Sequence, residues 1–316
     1  MIRHHVILIA LLFPLLAGAQ PVKVLHLADL HLGTDQAVPV PGLLDLAPGL
    51  KKAMLGTPGD LDSFSAFLER AGKQAHPDFA VVSGDLVTAS AFLGADGKPV
   101  PGPLARLQQI SARSPFRLFF ALGNHDLVLY NFAAASIGDV EDQSVAGQAR
   151  AAWIRALDCF QNGTFYSFQK RVGATRYRFV ILDNGYFGER LAGGQREFSF
   201  SGEQQYWLKK QVNRNPEDVL ILVLHVPLEG DAAARSVLAA IAGRKKPALV
   251  LAGHTHAPDK VEPIAAEGQP LLLQVWTPAY YTAPSHWRLL RLYEDRIEIA
   301  ITGTLDKTAK TLALTP

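Results

Sequence analysis

In the first half of the sequence, an apolar run ends abruptly in glycine and polar side chains, and this pattern limits the possible folds more than any other. Residues 119–126 read Phe-Phe-Ala-Leu-Gly-Asn-His-Asp. A short apolar run bounded by a turn signal predicts a buried strand, and the glycine marks a sharp turn of the backbone. Open α/β sheets bind ligands at the carboxyl ends of their strands. The pattern therefore predicts that Asn124 and His125 are delivered to a functional site.

The same pattern recurs at four other places in the chain. In each, polar residues follow a predicted buried strand: Asp29 and His31 after residues 22–27, Asp85 after 79–83, His225 after 219–224, and His254 and His256 after 248–252. Gly-His-Thr-His at 253–256 is the most specific, since alternate residues of an extended segment point the same way and bring two imidazoles together. Five such motifs favour a metal centre over unrelated turns, because buried charge must be paired or metal-bound.

The order of the predicted elements indicates the fold class. Strands alternate with helical patterns in the first half, and the end of the chain is rich in strands, which predicts an α/β fold with helices outside and two mixed sheets inside. Residues 38–58 and 130–146 are predicted to be loops that set specificity. No linker or repeat divides residues 20–316, so we expect one domain.

The first 19 residues are predicted to be a signal peptide. A polar start, an apolar stretch over residues 6–16 and Ala17-Gly18-Ala19 predict cleavage before Gln20. The alternative is a membrane anchor, but the apolar run is short and Pro14 interrupts it. Since no cysteine follows the cleavage point, the sequence predicts a secreted or periplasmic protein with no stable membrane anchor, and it predicts no particular oligomeric state.

The net charge and the number of cysteines limit which binding partners and covalent cross-links the chain can have. A net charge of +2 gives no basic field of the kind that nucleic-acid binders carry, so we expect a small-molecule partner and not nucleic acid. The single Cys159 excludes an internal disulfide.

The predicted donor set constrains the metal. Imidazoles, two carboxylates and one amide are too many ligands for one ion and suit two. Magnesium and calcium prefer shells of oxygen, whereas mixed nitrogen and oxygen ligands suit manganese, iron, zinc or cobalt. Two such ions about 3.5–4 Å apart form a recognised catalytic arrangement for displacement at phosphorus.

Taken in order, the motifs Asp-x-His, Gly-Asp, Gly-Asn-His-Asp, His and Gly-His-x-His resemble those of the calcineurin-like metallophosphoesterase superfamily. They run from Asp29 to His256 and cover most of the mature chain. The resemblance implies a four-layer α/β/β/α sandwich with two mixed β-sheets, as a single domain over residues 20–316. It also implies two divalent or trivalent transition metal ions, with Mn, Fe or Zn expected.

The resemblance implies a role for each motif residue. The seven candidate ligands divide into two sets that share Asp85 as a bridge: Asp29, His31 and His256 for one ion, and Asn124, His225 and His254 for the other. His125 would be a catalytic residue and not a ligand, stabilising the transition state or protonating the leaving group. A metal-bridging hydroxide would attack the phosphate mono- or diester.

Two departures separate the chain from well-known branches of the superfamily. Thr88 stands where purple acid phosphatases have a tyrosine ligand, and the segment after Asp85 lacks the Asp-Arg-Gly of protein Ser/Thr phosphatases. The chain therefore resembles an exported bacterial-type member. Residues 29–33 are also similar to a nuclease branch, so a nuclease is one alternative. The other is a non-catalytic binding module, which would be expected to have lost a ligand or the Asn-His pair.

Four aromatic residues cluster late in the sequence. Trp276, Tyr280, Tyr281 and Trp287 follow or flank a predicted strand, and they either line a substrate groove or pack against the sheet. Packing is the interpretation that the sequence favours.

Overall fold

The computed structural model describes residues 20–42, 48–134, 139–185, 199–229, 232–264 and 272–314. The predicted signal peptide, residues 1–19, lies outside the described residues. Among the helices in the described ranges, none combines the length and apolarity that crossing a membrane requires.

Helices and strands alternate along the first two thirds of the described chain, and strands dominate its end. In chain order the elements are β1 (Val22–Leu27), α1 (Pro48–Leu55), α2 (Asp60–Gln74), β2 (Phe79–Ser83), β3 (Ala91–Leu93), β4 (Pro99–Pro101), α3 (Leu104–Arg113), β5 (Arg117–Ala121), β6 (Leu129–Asn131), β7 (Glu141–Asp142), α4 (Ala146–Ala156), β8 (Tyr166–Val172), β9 (Thr175–Ile181), α5 (Gly202–Asn213), β10 (Val219–Val223), α6 (Ala232–Ile241), β11 (Ala248–Ala252), β12 (Lys260–Ile264), β13 (Leu272–Trp276), β14 (Arg288–Leu292), β15 (Arg296–Ala300) and β16 (Thr308–Ala313).

The first sheet has six strands in the order β16-β15-β14-β1-β2-β5. Strands β1, β2 and β5 are parallel neighbours, and β14, β15 and β16 extend the sheet in antiparallel pairs. Most positions of the parallel strands are apolar, because both faces of the sheet are covered. Val24 and Val81 face the second sheet, whereas Leu25 and Val82 face helices.

The second sheet also has six strands, in the order β12-β13-β11-β10-β9-β8. Its four inner strands are parallel, and the edge strands β8 and β12 are antiparallel to their neighbours. Both six-stranded sheets are therefore mixed, as predicted.

The two sheets pack face to face, and helices cover both outer faces. Phe79 of the first sheet meets Phe179 of the second with ring centroids 5.2 Å apart, in a T-shaped contact. The outer face of the first sheet packs against α2, α3 and α4, and that of the second packs against α5 and α6. Burying each large apolar side chain contributes roughly 1.5–3 kcal/mol. The predicted α/β/β/α layering is confirmed.

A third sheet, in the order β4-β3-β6-β7, was not predicted. Strand β7 and all but the first residue of β6 lie inside residues 130–146, where the sequence predicts a loop, and strands of two or three residues are too short to show a period. The predicted loop over residues 38–58 is also wrong in part, since it contains α1. That helix begins at Pro48-Gly49, a pair that reads as a loop signal although proline suits the first helical turn.

Candidate metal centre

The polar residues that follow five parallel strands meet at one edge of the sandwich. Strands β1, β2 and β5 end at this edge in the first sheet, and β10 and β11 end there in the second. The two sheets therefore contribute side chains to one site from opposite sides. The structure brings together all eight residues predicted for it: Asp29, His31, Asp85, Asn124, His125, His225, His254 and His256.

The first ligand group consists of Asp29, His31, Asp85 and His256, which offer ligand atoms within 4.8 Å of one another. Nε2 of His31 lies 3.2 Å from Nε2 of His256 and 3.4 Å from Oδ2 of Asp85. Nε2 of His256 lies 3.5 Å from Oδ1 of Asp29. Two imidazoles and two carboxylates thus point at one small volume.

The second ligand group consists of Asp85, Asn124, His225 and His254. Nε2 of His225 lies 3.1 Å from Oδ2 of Asp85, 3.2 Å from Nδ1 of His254 and 3.0 Å from Oδ1 of Asn124. Oδ1 of Asn124 is also 3.1 Å from Nδ1 of His254. This group has two imidazoles, one amide oxygen and only the shared carboxylate.

Asp85 belongs to both groups. Its Oδ1 accepts a hydrogen bond from the backbone N–H of His125 at 2.9 Å. Its Oδ2 is buried and has no hydrogen-bond partner among the described residues. A buried carboxylate oxygen without a donor is costly, and a cation on each side of it removes that cost. The residues present therefore fit two cations that share one carboxylate.

His125 lies beside both groups without joining either. Its ring centroid is 4.6 Å from that of His31, in a T-shaped contact. Its Nδ1 faces away from the ligands and lies 2.9 Å from the carbonyl oxygen of Thr88. The side chain is therefore placed to contact a molecule bound at the centre.

The backbone at the site is strained at most of the candidate ligands. Five of them have positive φ angles between 43° and 68°: Asp29, His31, Asp85, His254 and His256. Non-glycine residues rarely adopt this conformation, and each instance costs roughly 1–3 kcal/mol. Such strain clusters at functional sites, and here it turns successive side chains toward one point.

Two motif glycines are required by close approach. A Cβ at Gly123 would lie 2.2 Å from Oδ1 of Asp85, and a Cβ at Gly253 would lie 2.5 Å from Oδ2 of Asp29. Any side chain there would displace a carboxylate that belongs to a ligand group.

Burial disfavours the charged forms of the carboxyl and imidazole groups at the site, whereas contact between opposite charges favours them. Burial raises the pKa of Asp29 to about 8. Burial also acts to raise the pKa of Asp85, but His225, His125 and His31 outweigh it and hold that pKa well below its usual range. Burial acts to lower the pKa of His225, yet Asp85 raises it to about 9. A buried carboxylate at this site thus stays ionised only if a positive charge lies against it. A metal ion supplies such a charge.

Hydrogen bonds to the far ring nitrogens orient two of the ligand histidines. Nδ1 of His225 lies 2.9 Å from the carbonyl oxygen of Ser83, an acceptor, so Nδ1 carries a proton in either charge state, and a metal ion would replace the second proton at Nε2. Nδ1 of His256 lies 3.2 Å from the hydroxyl of Tyr281. The aromatic residues late in the sequence therefore do not share one role: Tyr281 lies at the site, whereas Tyr280 packs against core aromatics.

Asp126 holds the site together, a role that the sequence reasoning did not assign. Its Oδ1 accepts hydrogen bonds from the backbone N–H groups of Leu86 and Val87 at 2.9 and 3.1 Å. Its Oδ2 accepts one from Gly123 at 2.8 Å. One buried carboxylate thus joins the loop that carries Asp85 to the loop that carries His125.

Asn184 is a second supporting residue that the sequence reasoning missed. Its Oδ1 accepts hydrogen bonds from the backbone N–H groups of His225 and Val226, each at 3.2 Å. Asp183-Asn184-Gly185 follows the buried strand β9, so the signal was of the same kind as in the five predicted motifs.

Comparison with known proteins agrees with this geometry. The family model described as calcineurin-like phosphoesterase matches residues 22–258. A comparison with curated proteins found no match.

Several solved structures are similar to the chain at low sequence identity. GAP50, the anchor in the inner membrane complex of Plasmodium, is 12% identical, with a TM-score of 0.49, over 94% of this chain and 89% of that one. TT1561 of Thermus thermophilus is 12% identical, with a TM-score of 0.41, over 94% of this chain and 100% of that one. The sulfate thiohydrolase SoxB of Thermus thermophilus, in complex with glycerol, is 13% identical, with a TM-score of 0.43, over 93% of this chain and 56% of that one.

These structural likenesses are too distant to carry an argument about function. The family model, by contrast, spans more than half of the chain and all eight residues of the site. The chain belongs to the calcineurin-like phosphoesterase family.

Proposed function

We propose that the chain is an exported hydrolase of phosphate mono- or diesters that depends on two divalent or trivalent transition metal ions, with Mn, Fe or Zn expected. The observation that carries the proposal is Oδ2 of Asp85, which is buried, lacks a hydrogen-bond donor among the described residues and lies in both ligand groups. Mixed imidazole and carboxylate donors favour these metals over magnesium and calcium.

Different residues of the chain have different roles in the proposed reaction. When bound, the two ions supply a nucleophile from water and neutralise charge on the phosphoryl group. The first and second ligand groups would hold them, and Asp85 belongs to both groups. His125 faces the same volume from outside both groups, so its Nε2 can donate a proton to the leaving oxygen.

The alternatives have less support. A non-catalytic binding module would not need every ligand together with the histidine beside Asn124, and this chain keeps them all. A nuclease on this fold would be expected to carry a basic field, whereas the net charge is +2.

The substrate class can be tested with a panel of esters. Protein loaded separately with Mn, Fe and Zn would be assayed on aryl monoesters, aryl diesters, cyclic nucleotides, phospholipid head groups, and single- and double-stranded DNA. We expect turnover of at least one small ester and little cleavage of DNA. Activity on DNA alone would favour the nuclease, and inactivity on the whole panel would contradict the proposal.

The role of His125 can be separated from metal binding. We expect His125→Ala to retain both metals and to lose about 10²–10⁴ in turnover, the usual contribution of general acid catalysis. The loss should be smaller for a nitrophenyl ester than for an alkyl ester, because a good leaving group needs less protonation. Loss of a metal would show that His125 is a ligand, and a loss that ignores the leaving group would show that it is not the acid.

Export is the part of the proposal that rests on the sequence alone. N-terminal sequencing of the protein from the native host's secreted or periplasmic fraction should begin at or near Gln20. Recovery of a chain that begins at Met1 in the membrane fraction would contradict it.

A further inference from the structure

Two oxygen atoms lie at one ring nitrogen of His125. The carbonyl oxygen of Thr88 is 2.9 Å from Nδ1, and the hydroxyl of Tyr130 is also 2.9 Å from Nδ1. Among the described residues no hydrogen bond engages Nε2. The ring is therefore held from one side and leaves its other nitrogen to the site.

The carbonyl determines where the proton lies. A carbonyl oxygen only accepts hydrogen bonds, so an unprotonated Nδ1 at 2.9 Å from Thr88 would set two lone pairs against each other. Nδ1 must carry a hydrogen, and the hydroxyl oxygen of Tyr130 accepts a share of the same N–H. Any proton that His125 passes to or takes from a bound molecule then moves through Nε2.

Tyr130 is itself rigidly held. It lies in β6 of the third sheet, and it is 5% exposed. Its ring packs against those of Phe92 and Phe132, with centroids 6.3 and 6.2 Å away. Burial raises the pKa of the Tyr130 phenol, which keeps it a neutral hydroxyl. The third sheet thus presents one fixed oxygen to His125.

We propose that Tyr130 is a positioning residue, which together with the Thr88 carbonyl fixes the tautomer and the ring orientation of His125. The inference rests on the proposed hydrolase function, in which His125 assists the leaving group through Nε2. With both oxygens at Nδ1, the ring is held with Nε2 toward the site. The third sheet contains none of the five motifs, and it would contribute to the reaction through Tyr130.

The kinetic test uses Tyr130→Phe, which keeps the aromatic packing and removes the hydroxyl. We expect turnover of an alkyl phosphate ester to fall about three- to tenfold, the worth of one net hydrogen bond, and turnover of a nitrophenyl ester to fall less. Metal content should not change. The matched control is Tyr177→Phe, which removes a buried hydroxyl bonded to the carbonyl oxygens of Tyr293 and Arg296, far along the sheet from the site. The control should lower the melting temperature without changing the dependence on the leaving group.

A double-mutant cycle distinguishes positioning from a general structural role. If Tyr130 acts through His125, adding Tyr130→Phe to His125→Ala should cost no further turnover. A loss of the same size in both backgrounds, or one that is equal for good and poor leaving groups, would overturn the proposal.

A spectroscopic measurement tests the same hydrogen bond without any turnover. In protein loaded with diamagnetic Zn²⁺ and labelled with ¹⁵N-histidine, the His125 signals are assigned by their loss in His125→Ala. We expect a protonated Nδ1, and a shift of that signal in Tyr130→Phe but not in Tyr177→Phe. An unprotonated Nδ1, or a signal that Tyr130→Phe leaves unmoved, would overturn the inference. If the wild-type protein hydrolyses no ester, the proposed function fails and this measurement still decides whether Tyr130 holds His125.

Discussion

The two ligand groups share Asp85 but differ in charge. The first group adds a second carboxylate, Asp29, whereas the second group adds the neutral amide of Asn124. The two groups are similarly buried, since each contains one partly exposed histidine, His256 in the first and His254 in the second. The first group is therefore richer in negative charge.

This difference bears on how each ion would be held. A unit charge about 4 Å from a cation contributes about 4 kcal/mol at an effective dielectric constant of about 20. The first group has two such charges and suits the ion of higher charge. The second group relies on the shared carboxylate for its only negative charge, so it depends more heavily on Asp85.

The largest effect is expected from Asp85→Asn. Removing about 4 kcal/mol from each ion corresponds to roughly a thousandfold loss of affinity at both sites. Elemental analysis after dialysis against a weak chelator should find both ions depleted. The ion of the second group should be depleted at least as fully as the ion of the first. Depletion of one ion with the other retained would show that Asp85 does not bridge.

Asp183→Asn is the matched control for this variant. Asp183 is also fully buried at a strand end, but it bonds Arg150 and Thr164 and not the ligand groups. We expect a lower melting temperature and an unchanged metal content.

Intermediate effects are expected from removing one histidine from each group. His256→Ala should deplete the ion of the first group, and His254→Ala that of the second, because neither side chain is shared. Loading each variant with Mn and Zn in turn, and counting the ions retained, would show whether each group acts alone. Loss of both ions in either variant would mean that the groups fold or bind as one unit.

The smallest effect is expected from Tyr281→Phe. The hydroxyl of Tyr281 orients His256, so its removal should weaken binding in the first group about tenfold, at the low end for a residue that supports a ligand. His225 in the second group is oriented by the backbone carbonyl of Ser83, which no substitution removes. Metal titration of Tyr281→Phe beside Tyr280→Phe, whose ring packs on Phe64 and Phe67, should change only the first variant. Equal changes in both variants would contradict a role for the hydroxyl.

The parts of the fold that could be predicted from the sequence are those that local patterns encode. A buried strand that ends in glycine and a carboxylate or imidazole is visible within eight residues, as at 119–126. The layering followed from the order of such strands and helices. The division of the ligands between two ions came from the resemblance to the family, and this division stays a prediction.

What could not be predicted depends on contacts between distant residues or on very short elements. Strand β7 has two residues, and β16 is exposed at five of its six positions, so neither shows an apolar period. The partners of the ligand histidines are distant in sequence, since Asn184 lies 41 residues before His225. Tyr130 is five residues from His125, but only the fold turns its hydroxyl back toward the ring.

The number of ions bound per chain is the decisive measurement, because two ligand groups that share one carboxylate should together hold two ions. Protein loaded with Mn, Fe or Zn would be passed through a desalting column and analysed for metal and for protein. We expect close to two transition metal ions per chain in the wild-type protein. One ion or fewer in fully active protein would contradict it.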